Sequence, residues 1–205
     1  MNITPTVKQL LIINILFFIG TQIIGDQAYV YFALFSFENP NFHIWQLLTH
    51  MFMHGGFMHI AFNMFALYSF GTMLESIWGS KKFLFFYISC GLGAGILQNL
   101  INSYTNDIMS VAVGASGAIY GLLTAFAFMF PNAELALMFI PVPIKAKYFV
   151  PGLLAIDLFL GFGGSSIFGG GGTGIAHFAH VGGAIVGFIM MWYWKKNSFD
   201  NKRWN

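Results

Sequence analysis

Gly114-Ala115-Ser116-Gly117-Ala118-Ile119-Tyr120-Gly121 is a run of mostly small residues with one aliphatic hydroxyl, and it leads straight into the apolar segment 122–130. The pattern starts a membrane helix at Ser116. The first backbone N–H groups of a helix have no partner within it and its dipole is positive there, so negative charge developing beside that serine is stabilised. An acyl-transfer nucleophile needs this environment. The same residues also suit packing, because Gly117 and Gly121 form a G-x-x-x-G pair with Gly114 and Ala118 in step beside it. Choosing between the two readings takes a second polar group from elsewhere in the chain.

Of the 205 residues 57% are hydrophobic and only 8% charged, with a mean hydropathy of +0.71, which excludes an ordinary soluble domain. The chain reads as an all-α polytopic membrane protein, a single domain over 1–205 whose length leaves no room for a soluble domain. Its one cysteine, Cys90, lies in an apolar run and is assigned to packing, since it supports neither a disulfide framework nor a thiolate metal site.

Six apolar spans are expected, at about 9–24, 57–76, 83–101, 116–130, 148–160 and 175–194. No small-residue cleavage site follows the first, so it reads as a retained span and not a signal peptide. Residues 25–56 are too broken for a spanning helix and suit the interface, where Trp and Tyr are at home. Segment 161–174 holds eight glycines and reads as a flexible loop, which with the outer end of the fifth span is expected to act as a gate. Residues 131–143, punctuated by proline, read as a plain connection.

An even number of spans puts both termini on one side. Lys8, Lys81, Lys82, Lys145, Lys147, Lys195, Lys196, Lys202 and Arg203, all nine basic residues, then fall on that side, which the positive-inside rule makes cytoplasmic. A five-span or seven-span count would spoil the agreement. This charge placement, with no transit-like extension, suits a bacterial plasma membrane.

With that topology the second, fourth and sixth spans enter from the opposite face, and the unusual polar residues gather in their first turns. His59 and Asn63 share one face of the second, Ser116 opens the fourth and His180 lies about a turn inside the sixth. Polar side chains within spans are costly and usually face a cavity or one another. Gly183 and Gly187 form a second G-x-x-x-G ridge, able to meet Gly117 and Gly121 closely enough for His180 to reach Ser116. His180 can then act as general base to the Ser116 nucleophile, with His59, Asn63 and the Ser116 N–H holding an oxyanion. Asp157, on a helix running the other way, is read as lying at another depth. The expectation is a dyad whose imidazole is oriented by packing, against Tyr120.

The Gly-Ala-Ser-Gly run at 114–117, His59-Ile60-Ala61-Phe62-Asn63 and Ala179-His180-Val181-Gly182-Gly183 together resemble the rhomboid family of intramembrane serine proteases, over nearly the whole chain. The resemblance implies a six-helix bundle, Ser116 as nucleophile, His180 as base, and His59 and Asn63 in the oxyanion hole. It further implies transmembrane protein substrates cleaved near small residues within the lipid bilayer, and no cofactor. No metal and no nucleic-acid partner are expected. Where the family carries Trp-Arg before the second span, this chain has Trp45-Gln46.

A metal site at His50, His54 and His59 is the nearest rival, but no Glu adjoins a histidine as H-E-x-x-H requires and Gly55-Gly56 interrupts a helix there. His50 and His54 are assigned to loop hydrogen bonding and His177 to the interface. The soluble-hydrolase motif G-x-S-x-G fails at Ala118. A six-helix transporter or channel predicts inverted repeats that the chain does not display. A non-catalytic binder of membrane helices would tolerate loss of Ser116 or His180, and both are present.

Overall fold

The computed structural model of the chain describes residues 2–137, 140–162 and 176–197. Helix α1 spans Pro5–Ile24, with Pro5 in the first turn, where a missing N–H costs nothing, and Gly25 closing it at φ 73°. The N-terminus of α1 is capped from a distance. The Glu75 carboxylate accepts from Thr4 Oγ1 at 2.5 Å and from the Thr6 and Val7 N–H groups, both at 2.9 Å. Glu75 also takes the Ser80 hydroxyl at 2.6 Å, so one buried side chain ties three helix ends together.

Residues 26–56 are built from short pieces: α2 (Asp26–Phe32), β1 (Leu34–Phe35), α3 (Gln46–Thr49) and a 3-10 turn, His50–Phe52. Helix α4 (Phe57–Ala66) then runs through a π turn, Leu67–Gly71, into α5 (Thr72–Trp78), and α6 follows over Ser80–Thr105. After β2 (Val111–Ala112) come α7 (Ser116–Met129), strands β3 (Glu134–Leu137) and β4 (Ile140–Lys145), α8 (Ala146–Phe162) and α9 (Ala176–Asn197). Apart from Phe130, which follows α7, and Ile175, which lies outside the described residues, the residues of the apolar stretches read from the sequence lie on helices. Among the described residues, Pro5–Ile24, Phe57–Trp78 and Ser80–Thr105 are long and apolar enough to cross a bilayer.

The helical bundle carries two short strand pairs in stretches that read as loops or connections. Strand β1 pairs antiparallel with β2, Leu34 opposite Ala112 and Phe35 opposite Val111, so the 26–56 region is stitched to the approach of α7. Strands β3 and β4 form a second antiparallel pair where a plain connection was expected. Pro141 and Pro143 do not prevent it, because the register shifts between the Leu135–Ile144 and Leu137–Ile140 pairs and both prolines fall in that irregular stretch, where a ladder N–H is not required.

Helix α9 lies against both α6 and α7, the most extensive helix contacts in the bundle, with α8 beside α7 and α9. Glycine makes this approach possible. A Cβ on Gly187 would lie 2.9 Å from the Gly121 Cα, one on Gly182 would lie 2.9 Å from the Gly93 carbonyl oxygen, and one on Gly183 would overlap the Gly117 carbonyl. Cys90 packs under the same crossing, where a Cβ on Gly121 would strike its sulfur. Phe83, Phe86, Tyr87 and Leu122 are fully buried, while Leu16, Ile23, Phe85 and Phe159 face outward. An apolar exterior on hydrogen-bonded helices is what lipid requires, and the chain is an integral membrane protein.

One end of the bundle is marked by cations. Lys82 Nζ stands 4.1 Å over the Trp194 ring and Lys195 Nζ 5.3 Å from that of Phe128, which brings the start of α6 and the ends of α7 and α9 together. The proposed gate at 161–174 falls almost entirely on 163–175, outside the described residues.

Candidate active site

Ser116 is the first residue of α7, preceded by Ala115 as N-cap and by Gly114 at φ 126°, a backbone region favouring glycine. Gly114 is needed for space as well. A Cβ there would lie 2.8 Å from His59 Nε2 and 3.5 Å from Ser116 Oγ, so the imidazole and the hydroxyl flank the same small volume. The Gly114 N–H donates to the His50 carbonyl at 2.9 Å, and the β1–β2 pair fixes the preceding residues. Ser116 is thus held by main chain on one side and by a helix start on the other.

His180 Nε2 lies 2.8 Å from Ser116 Oγ. Its ring stacks on Tyr120 at a centroid distance of 4.3 Å and an interplanar angle of 7°, the packing expected from sequence. The expectation that no carboxylate orients this imidazole is corrected. Asp157 Oδ2 hydrogen-bonds His180 Nδ1, and Asp157 Oδ1 lies 2.5 Å from His177 Nδ1. Asp157 sits five residues before the end of α8 and His180 four after the start of α9, so two antiparallel helices bring them to one depth. His177, read from the sequence as an interfacial residue, is buried in the bundle at 3% exposure. Each carboxylate oxygen takes one imidazole, which is how a buried acceptor-only group becomes satisfied.

Asn63 is buried, and its Nδ2 has no acceptor among the described residues. The ring of His59 meets that of His54 edge-on at 5.1 Å. His50 matches its expected loop role, its Nδ1 contacting the Gln46 carbonyl at 2.8 Å. His54 is different: among the described residues neither of its buried ring nitrogens has a hydrogen-bond partner, and its carbonyl accepts from Tyr29 Oη at 3.3 Å. Burial pushes the His50 imidazole down to about 4. Burial, then the neighbouring His59, pushes His54 to about 3.

Gln46 stands in the arginine's place and holds the 26–56 region together. Its Nε2 donates to the Val30 and Asn41 carbonyls at 3.0 and 2.9 Å, and its Oε1 accepts from the Phe35 and His43 N–H groups at 3.4 and 3.2 Å. A neutral amide offers donors and acceptors together, which suits a fully buried position better than a charge would.

A small cavity of about 20 Å³ adjoins Ser116, lined also by His50, Gly91, Ala94 and Ala179. It is large enough for about one water molecule. Helix α7 has 14 residues, about 21 Å at 1.5 Å per residue, against a hydrocarbon core of about 30 Å. If its far end reaches one interface, Ser116 lies below the other.

Comparison with known proteins yields a match to the Rhomboid domain over residues 41–197. The chain is 34% identical to Rhomboid protease GluP of Bacillus subtilis over 71% of its own length and 25% of that protein's. It is 29% identical to Rhomboid protein 1, mitochondrial, of Saccharomyces cerevisiae, over 71% of this chain and 40% of the relative. It is 31% identical to the human Presenilin-associated rhomboid-like protein, mitochondrial, over 72% of this chain and 36% of the relative. The chain therefore spans well under half the length of these relatives.

Proposed function

The chain belongs to the rhomboid family, and from that premise we propose that it is a serine endopeptidase cutting membrane-protein substrates within the bilayer. The observation that carries the reading is the 2.8 Å contact between Ser116 Oγ and His180 Nε2 at the recessed head of α7. Ser116 attacks the scissile carbonyl while His180 Nε2 takes its proton. The tetrahedral oxyanion is met by the Ser116 N–H, by His59 and by Asn63, whose buried Nδ2 has no other acceptor among the described residues. His180 then protonates the leaving amine, and water hydrolyses the acyl-enzyme. The cavity beside Ser116, with room for one water, supports that last step.

Six spans with cytoplasmic termini in a bacterial plasma membrane remain our reading of the topology. The clustering of Lys82, Trp194, Lys195 and Phe128 at one end supports it. Transmembrane segments unwinding near small residues are the substrates proposed. The test is labelling by a fluorescent phosphonate reagent. Labelling of the wild type but not of Ser116→Ala or His180→Ala supports the reading; labelling undiminished in His180→Ala overturns the dyad.

A further inference from the structure

We propose that Asp157 is a positioning residue for His180, with His177 bracing the carboxylate from its other side, so that the pair works as part of a four-residue array. The inference rests on the reading of Ser116 and His180 as nucleophile and base. A neutral imidazole carries one N–H and one lone pair, and only the tautomer protonated on Nδ1 leaves Nε2 free to accept the serine proton. Asp157 as a carboxylate only accepts, so its contact with His180 Nδ1 selects that tautomer. When Nε2 takes the serine proton, the imidazolium stays paired through Nδ1–H with Asp157, and the proton leaves from Nε2 to the departing amine. The carboxylate is never protonated.

His177 gives the arrangement its rigidity. It lies three residues before His180 on the same face of α9, and its Nδ1 meets the second carboxylate oxygen at 2.5 Å. With both oxygens engaged, the carboxylate plane is fixed and cannot rotate away from His180. Tyr120 stacks on one face of the base, so its tilt and its tautomer are both specified. At 3% side-chain exposure Asp157 is shielded from water that would compete for these bonds.

The experiment compares Asp157→Asn, Asp157→Ala and His177→Ala with wild type in kcat and KM on a transmembrane peptide, and records imidazole nitrogen resonances of ¹⁵N-histidine protein. Asn is nearly isosteric but exchanges one acceptor oxygen for a donor, so one imidazole must change tautomer. We expect kcat to fall about 10³- to 10⁴-fold in Asp157→Asn with KM little changed, as for loss of an orienting carboxylate elsewhere. His177→Ala, which leaves the His180 contact intact, should cost about tenfold. The wild-type spectrum should show His180 carrying its proton on Nδ1, a result that needs no variant to fold. Unchanged kcat in Asp157→Asn, or a His180 proton on Nε2 in the wild type, overturns the proposal. If Ser116 and His180 prove essential while Asp157 does not, the dyad stands and only this inference fails. Loss of activity on chelation, restored by zinc, would instead make Asp157, His177 and His180 a metal site and overturn it too.

Discussion

Adding one methyl group at Gly183 should disable the site without touching any of its polar residues. The Cβ of Gly183→Ala would overlap the Gly117 carbonyl, a main-chain atom of α7 that no rotamer change can move. Helices α7 and α9 must therefore separate by well over about 1 Å to restore van der Waals contact. Ser116 precedes Gly117 directly and His180 lies three residues before Gly183, so the separation is felt where Oγ and Nε2 now stand 2.8 Å apart. Opening that contact by more than about 1 Å takes it beyond hydrogen-bond length, and misplacement of about 1 Å already costs on the order of 10²-fold in rate. Overpacking should cost about 1–3 kcal/mol of stability as well. The control is Gly152→Ala in α8, where a Cβ meets nothing within 4 Å. It should stabilise by roughly 0.4–1 kcal/mol through the unfolded chain and leave cleavage unchanged. Thermal unfolding in detergent and cleavage of a transmembrane peptide read both quantities. Full activity in Gly183→Ala would refute the idea that glycine contact sets the serine–histidine distance.

Three further outcomes follow from the site and its supports. Glu75→Ala leaves the Thr6 and Val7 N–H groups and two hydroxyls without their acceptor and should destabilise by about 2–3 kcal/mol, read as a lowered unfolding midpoint; an unchanged midpoint would deny its stapling role. Asn63→Ala should slow cleavage about 10²- to 10³-fold while stability holds or rises, because a buried donor with no acceptor among the described residues is removed. A stability loss without a rate loss would make Asn63 structural. His50 and His54 titrate in the fold near 4 and 3 instead of at their ordinary 6.5, so between these values the unfolded chain binds more protons than the folded one. Stability should fall as pH drops below about 6.5, and a flat unfolding midpoint from pH 6.5 to 4.5 would contradict their burial as neutral rings.

The helices were legible because apolar runs and glycine punctuation report them locally. The head of α7 was legible because a lone hydroxyl among small residues stands out where a helix enters lipid. The meeting of Gly117 and Gly121 with Gly183 and Gly187 could be read from spacing alone. The direction of its helix alone does not reveal Asp157 as a partner of His180. Counting residues from the α8–α9 connection would have placed both within about two turns of the same surface. The β1–β2 pair has only two residues per strand, too few for any alternation to show. The role of Gln46 depends on four main-chain groups brought to it from between Val30 and His43, and no local pattern encodes that.

Cleavage of peptide bonds inside a membrane by Ser116 is tested most directly by mass spectrometry of products from a panel of transmembrane peptides co-reconstituted with the protein in liposomes. The expected result is a discrete pair of fragments, with the cut within or beside the apolar segment, that disappears in Ser116→Ala. Intact peptides with the wild-type protein across the panel, or the same fragments with Ser116→Ala, would contradict it.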